Sequence, residues 1–324
     1  AADPENPFLR YYLGVEWLGL GRPVLALSYL EEARRALNSE QVLFRTAALC
    51  YLLEAFRALG RYDEALAVCF EEVGHYRDYA DLFFAGGTLL AEKGEYEPAA
   101  KWFKEALRCG PPPPGFFHVH GTAGFLALSH LGRCLEGLGR KKEAKEAYLR
   151  ALAAEPACPA ALGPLFALVM AECGPREAYE FFRARGFLDH CPSAEILAGL
   201  FFAAGFAGLA AECLKAAGRK EKAPESPATI RFLVYGGEYE EALARLEELH
   251  RRGETLDLVL LGEEVVALLL KGDLPAAKRR ALEIWRRPDG RGPGWAFLNM
   301  VAWWQDGRPG IREGPMKRRS SGRY

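Results

Sequence analysis

Cys109, His118, His120, His130 and Cys134 fall within one stretch of the chain, residues 109–134, and thiolates and imidazoles are zinc ligands. His130 and Cys134 are spaced i, i+4, so on a helix they share a face, and the His-x-His pair can approach from the preceding loop. The spacing matches none of the usual zinc patterns, however, and Cys134 stands where packing inside a helical hairpin is expected. The stretch therefore reads as a structured loop, with no metal and no cofactor assigned. The six histidines, at 75, 118, 120, 130, 190 and 250, form no nucleophile, base and orienter arrangement. No glycine-rich loop follows a strand pattern. The chain is expected not to be an enzyme in its own right.

Composition narrows the partners. The 324 residues are half apolar and about a quarter charged, the balance of a folded protein, and Lys plus Arg (42) nearly cancel Asp plus Glu (43). With no global field to gather polyanions, nucleic acid is not an expected partner. The longest apolar run, "VVALLLKG", is too short to cross a bilayer, so no membrane insertion is expected. Eight cysteines without a C-x-x-C pair, most of them in Ala/Leu-rich stretches, read as reduced thiols of a cytoplasmic protein. The opening "AADPENPF" lacks a Met, which suggests a fragment or processed chain.

The elements that would position any site come from a repeated phrase: "LGRPVLAL", "LGRYDEAL", "KGEYEPAA", "LGRKKEAK", "CGPREAYE", "AGFAGLAA", "GGEYEEAL", "KGDLPAAK" and "DGRPGIRE". Its glycines, from Gly21 to Gly307, follow one another at gaps of 39, 34, 45, 35, 31, 32, 35 and 35. An apolar helical pattern precedes each glycine. Five residues after it stands Ala26, Ala65, Ala99, Ala144, Ala210, Ala242 or Ala277 in most units. The pattern predicts a helix A ended by glycine, a tight turn, and an antiparallel helix B whose alanine allows close approach, with Trp17, Phe56, Leu90 and Leu135 filling the space around it. The spacing resembles the tetratricopeptide repeat, with its period of about 34 residues. The expected fold is all-α: a tetratricopeptide-repeat solenoid of about eight helix-turn-helix units in a right-handed superhelix, irregular toward its C-terminal half.

Domain organisation follows from the same pattern. Residues 1–157 should hold repeats one to four, and residues 158–307 divergent repeats and a capping helix containing Trp295, Trp303 and Trp304. Residues 308–324 read as a basic flexible tail. The weakest packing is expected over 186–232. The long gap between Gly94 and Gly139 is a Pro-rich inter-repeat insertion at 110–124, a rigid spacer because proline cannot continue a helix. Such insertions map to loops on one face, often a binding face.

The first four units also resemble the helical region that follows the catalytic domain in bacterial inverting glycosyltransferases of the family 2 type. The likeness spans residues 3–156 and is carried by "DPENPFLRYYLGVEWLGLGR", the Asp-Tyr-x-Asp-Leu phrase at Asp78–Leu82 and the insertion before unit four. The chain departs from that family where the insertion closes as "GTAGFLA" instead of with a Gly-Val-Gly-Ser-Tyr-Lys-like phrase, so no role of that Lys carries over. No two aspartates are spaced i, i+2, so the Asp-x-Asp motif of such catalytic domains is missing from this stretch. The resemblance implies a non-catalytic C-terminal region of a nucleotide-sugar glycosyltransferase.

Stacked repeats expose a concave surface lined mainly by helix A. Alignment on the turn glycines puts Tyr11, Tyr12 and Val15 there in unit one, and Cys50, Tyr51 and Glu54 in unit two. Unit three contributes Asp81, Phe84 and Thr88, and unit four Ser129, His130 and Arg133. From these, the candidate peptide groove is Tyr11, Tyr12, Tyr51, Glu54, Asp81, Phe84, His130 and Arg133. Its aromatic character fits a protein or peptide partner, or another subunit, held by rings with a few polar contacts. It lacks the Lys and Asn set of carboxylate clamps. The function expected is a protein-interaction or assembly scaffold; the other reading is a free-standing repeat adaptor or regulator that binds a peptide in the groove.

Overall fold

The computed structural model describes residues 6–217 and 227–306. Among these residues every regular element is helical: seventeen α-helices and two short 3-10 turns, without a strand. The all-α solenoid-type fold expected from the repeat is therefore the fold found. The expected tail 308–324, the last turn glycine Gly307 and residues 218–226 lie outside the described residues.

The chain forms two compact units, divided between Glu172 and Cys173. In the first, four hairpins follow in order: α1 (Pro7–Gly19) with α2 (Pro23–Ala36), α3 (Val42–Ala58) with α4 (Tyr62–Val73), α5 (Ala80–Glu92) with α6 (Tyr96–Cys109), and α7 (Phe125–Gly137) with α8 (Lys141–Ala154). Helix α9 (Pro159–Cys173) completes this unit. Each first helix also packs on the first helix of the next hairpin, α1 on α3, α3 on α5 and α5 on α7.

The second unit holds α10 (Pro175–Ala184), then α11 (Cys191–Ala203) with α12 (Ala207–Ala217), α13 (Pro227–Tyr235) with α14 (Tyr239–Arg251), and α15 (Leu258–Lys271) with α16 (Leu274–Arg286). Helix α17 (Arg291–Asp306) lies against α15 and α16. The Phe297 ring lies over Gly262, while Trp303 and Trp304 stay 44% and 42% exposed. Within the stretch expected to pack weakly, α11 and α12 bury Leu197, Phe201, Ala210 and Leu214 completely.

The turn chemistry is repetitive. Gly21 has φ +68°, its N–H donates to Leu18 O (3.0 Å), and the next N–H, of Arg22, donates to Trp17 O (2.8 Å). This pair of hydrogen bonds to the last turn of helix A is the Schellman closure, and it recurs at Gly60, Gly94, Gly139, Gly205, Gly237 and Gly272. Gly174 departs from it, with φ 87° and ψ 176°.

Close packing of the two helices in each hairpin rests on side-chain size. Ala26, Ala65, Ala99, Ala144, Ala210, Ala242 and Ala277 all have no exposed surface. A second pattern runs through positions seven before and nine after the turn glycine. Where helix A is small at that place, helix B is large: Gly14 lies under Leu30, Gly87 under Phe103 and Gly132 under Tyr148. The aligned pairs Leu53/Cys69 and Val265/Ala281 reverse the sizes. These five hairpins thus pair one large residue with one small one while swapping which helix supplies the bulk; the α13–α14 hairpin instead has Ile230 and Leu246 at these places, both fully buried.

A Cβ on Gly132 would stand 2.5 Å from the Tyr148 ring, whereas one on Gly199, inside α11, would meet only the edge of the Phe232 ring, at 4.0 Å. Gly132→Ala should therefore lower stability by about 1–3 kcal/mol, and Gly199→Ala should raise it by about 0.5–1 kcal/mol. Urea melts followed by circular dichroism at 222 nm read both. Equal, small effects would show that the hairpin interior has slack.

Candidate functional site

The helix A face of the first unit carries a row of rings. Phe8 meets Phe44 edge-on at 4.9 Å, Tyr11 meets Tyr12 at 5.1 Å and Phe44 at 5.6 Å, and Tyr51 stands 6.3 Å from Tyr11. Tyr11 and Tyr51 are half-buried in this row, and Tyr12 is 55% exposed. The row ends on a ring that is not on a helix at all: Phe117 of the insertion lies 5.8 Å from Tyr51.

The insertion does more than bridge α6 and α7, because it lies across the first turns of α3 and α5. The Phe117 N–H donates to Thr46 Oγ1 (3.0 Å), and the Phe117 carbonyl accepts from the Tyr79 hydroxyl (2.6 Å). The Val119 N–H donates to Asp81 Oδ1 (2.7 Å). Phe116 packs edge-on against Tyr76 (5.6 Å) and Tyr79 (5.2 Å). Asp81, placed in the groove by alignment, is only 4% exposed and holds this loop.

The anchors are satisfied in a definite order. Thr46 directs its own proton to Val42 O (2.7 Å), leaving its oxygen free to accept Phe117 N–H. With the Tyr79 proton on Phe117 O, the Cys50 thiol 3.2 Å away must be the donor to the Tyr79 oxygen. Burial supports that role, pushing the Cys50 thiol up to about 12 and the Tyr79 hydroxyl far above its ordinary value. Burial also raises the Asp81 carboxyl, while the Val119 amide, the Thr122 hydroxyl and His118 oppose that rise. Asp81 Oδ2 is buried without a hydrogen-bond partner.

The remaining groove candidates divide into open and packed. Glu54 and Arg133 are exposed, Glu54 pairing with Arg57, which also reaches Glu92 at 2.9 Å. Phe84 and His130 are half-buried against each other (5.0 Å), with Phe103 5.4 Å from the imidazole. Thr88 donates to Phe84 O, and Ser129 is fully buried. The structure thus joins Tyr11, Tyr12 and Tyr51 in one row, gives Asp81 to the insertion, and groups Phe84 with His130.

The possible metal ligands lie apart in role. His118 and His120 are exposed, His120 resting on Phe125 (5.4 Å), while Cys134 is buried. Among the described residues no three His, Cys, Asp or Glu side chains are grouped so as to hold a metal ion. His190 Nδ1 lies 2.8 Å from Ser193 Oγ in the first turn of α11, and Ser193 has no exposed surface.

Four contributors to this site were missed by alignment on the turn glycines: Phe44, Thr46, Tyr79 and Phe117. Alignment extends each repeat inward along helix A and carries no information about what an insertion folds onto. The available signal was Tyr79 and Asp81 themselves, spaced i, i+2 at the start of α5 and followed in the next gap by an insertion.

A tetratricopeptide-repeat family model matches residues 127–158, the α7–α8 hairpin. No curated protein sequence matches the chain. Among solved structures, a tetratricopeptide repeat protein from Parabacteroides merdae is 16% identical, with 91% of this chain and 98% of that one covered and a TM-score of 0.42. MamA from Desulfovibrio magneticus RS-1, residues 41 to the end, is 20% identical over 57% of this chain and 94% of that one, TM-score 0.44. A thermophilic TPR protein of Thermus thermophilus is 20% identical over 74% and 99%, TM-score 0.39. None of these is a glycosyltransferase by its description, so that parentage rests on the sequence resemblance alone.

His130 makes the site sensitive to acid. Burial, and after it the charge of Arg133, pushes the imidazole down to about 4. The unfolded chain takes up this proton near the ordinary histidine value of about 6.5, so between the two values the unfolded state binds more protons and stability falls as pH falls. Wild type should lose about 1–3 kcal/mol more than His130→Leu between pH 7 and pH 4.5 in urea melts. The raised Asp81 carboxyl acts in the opposite direction, but it is common to both chains and cancels in the difference. Identical losses would mean that His130 is hydrated in the folded chain.

Proposed function

We propose that the chain is a protein-interaction scaffold whose first unit holds an extended peptide or a second subunit on its helix A face. The observation that carries this reading is the ring row Tyr11, Tyr12, Phe44 and Tyr51. It runs across two successive A helices, is open at Tyr12, and has the exposed Glu54 three residues beyond Tyr51 on α3. Rings that present an apolar body with a polar tip lose little conformational freedom on binding and supply large contact area, which suits peptide recognition.

In this reading the chain is the non-catalytic C-terminal region of a nucleotide-sugar glycosyltransferase, placing an acceptor protein or another subunit beside a catalytic domain elsewhere in the same protein. Support comes from the leader, the Asp78–Leu82 phrase and the insertion. The last two touch each other through Tyr79 and Asp81, so they form one physical feature. The same reading places the chain in the cytoplasm, in keeping with eight cysteines that are all free thiols. No helix among the described residues is long and apolar enough to cross a membrane.

Peptides selected by display on the intact chain should lose at least tenfold in affinity to Tyr12→Ala. Because Tyr12 is largely exposed, its melting temperature should shift by no more than about 2 °C. Selected peptides indifferent to Tyr12, Tyr51 and Arg133 replacements would end the groove reading. The gene upstream of Ala1 decides the parentage: an α/β domain with an Asp-x-Asp motif supports it, and an initiator Met within a few codons defeats it.

A further inference from the structure

The insertion contacts α3 and α5 through one edge of its main chain. Residue 117 offers both its N–H and its C=O, residue 119 offers its N–H, and residue 118 between them offers neither. Residues 116–119 are neither helix nor turn, and none has a positive φ. In an extended strand the N–H and C=O of one residue point to one side, those of the next to the other. Thr46, Tyr79 and Asp81 therefore do with side chains what a neighbouring strand does with its backbone. Such bonds give affinity for any extended chain, and specificity must come from the side chains alongside. Here these are Phe117 on Tyr51 and Phe116 on Tyr76 and Tyr79.

The segment that fills this site is held lightly. Phe116 and Phe117 are only half-buried, and His118, Val119 and His120 are exposed. Pro111 to Pro114 have no N–H to donate. Gly110, Gly115 and Gly121, with φ of 70°, 83° and 93°, stand at both ends and at the centre of the segment, where the backbone can turn without steric cost.

We propose that Thr46, Tyr79 and Asp81 form a docking site for an extended peptide with aromatic residues in the Phe116 and Phe117 places, and that residues 110–121 fill this site as a strap until such a peptide displaces them. The proposal rests on the scaffold reading above and adds the partner's conformation and its competitor. A tethered occupant acts at a high effective concentration, so a free peptide must outcompete it.

The test uses the peptide GPPPPGFFHVHG, residues 110–121, labelled with a fluorophore and titrated by anisotropy. One receptor is the intact chain; the other is the full chain with Phe116→Gly, Phe117→Ser, His118→Gly and Val119→Ser. The peptide should bind the strap-replaced chain, and the intact chain at least tenfold more weakly. Binding should drop at least fivefold when the peptide carries Phe117→Ala or the receptor also carries Asp81→Ala. A strap-replaced chain that keeps its helical signal and melting transition but binds no peptide, or binds no better than the intact chain, overturns the proposal.

If that variant fails to fold, hydrogen exchange on the intact chain decides. Phe117 and Val119 amides exchanging at least a hundredfold faster than the amides of α3 and α5 support a displaceable strap, and protection equal to those helices overturns it. Display-selected peptides that need Tyr12 yet leave Phe117 and Val119 exchange unchanged would uphold the scaffold and overturn the strap.

Discussion

The close approach of two antiparallel helices across a three-residue turn is the constraint on which everything else depends. The left-handed glycine ends helix A and satisfies its last carbonyls, and the fully buried alanine five residues on lets helix B return at contact distance. The pair cannot separate without exposing the rings and leucines that fill it, such as Phe103 over Gly87 and Tyr148 over Gly132. Because each hairpin closes its own interior, the outward faces of helices A are left to meet other chains or, as at α3 and α5, the chain itself.

Polar groups decide where those faces are specific. Arg34 of α2 and Glu72 of α4 form a buried ion pair, with Glu31 3.1 Å from the same guanidinium and Arg45 of α3 3.7 Å from the second Glu72 oxygen. Arg45 lies over Tyr76 (5.7 Å), and Tyr76 packs on Phe116. The charge cluster among α2, α3 and α4 is thus continuous with the hooks that hold the insertion. Removing either partner of the buried pair would leave the other charge uncompensated.

Much of the helical architecture was legible without coordinates, because a phrase repeated at near-constant spacing encodes a local event, a helix stop and a reversal, that needs no distant partner. The fully buried alanines follow from it directly. The size exchange between Gly87/Phe103 and Leu53/Cys69 was also present in the text, but it becomes meaningful only once positions seven before and nine after the glycine are known to face each other. The groove was legible in part: Tyr11, Tyr12 and Tyr51 share one row, whereas Phe84 and His130 turn toward Phe103 and Asp81 toward the insertion.

What the amino-acid order by itself determined is the succession of helices and turns, since glycine's left-handed freedom, proline's missing donor and a 3.6-residue apolar period act over a few residues at a time. What only the tertiary structure decided is the fate of the insertion. Phe117 and Thr46 stand 71 residues apart, and no local rule relates them. Their hydrogen bond exists because the stacking of α3 on α5 brings Thr46, Tyr79 and Asp81 to one edge, at the spacing of an extended backbone.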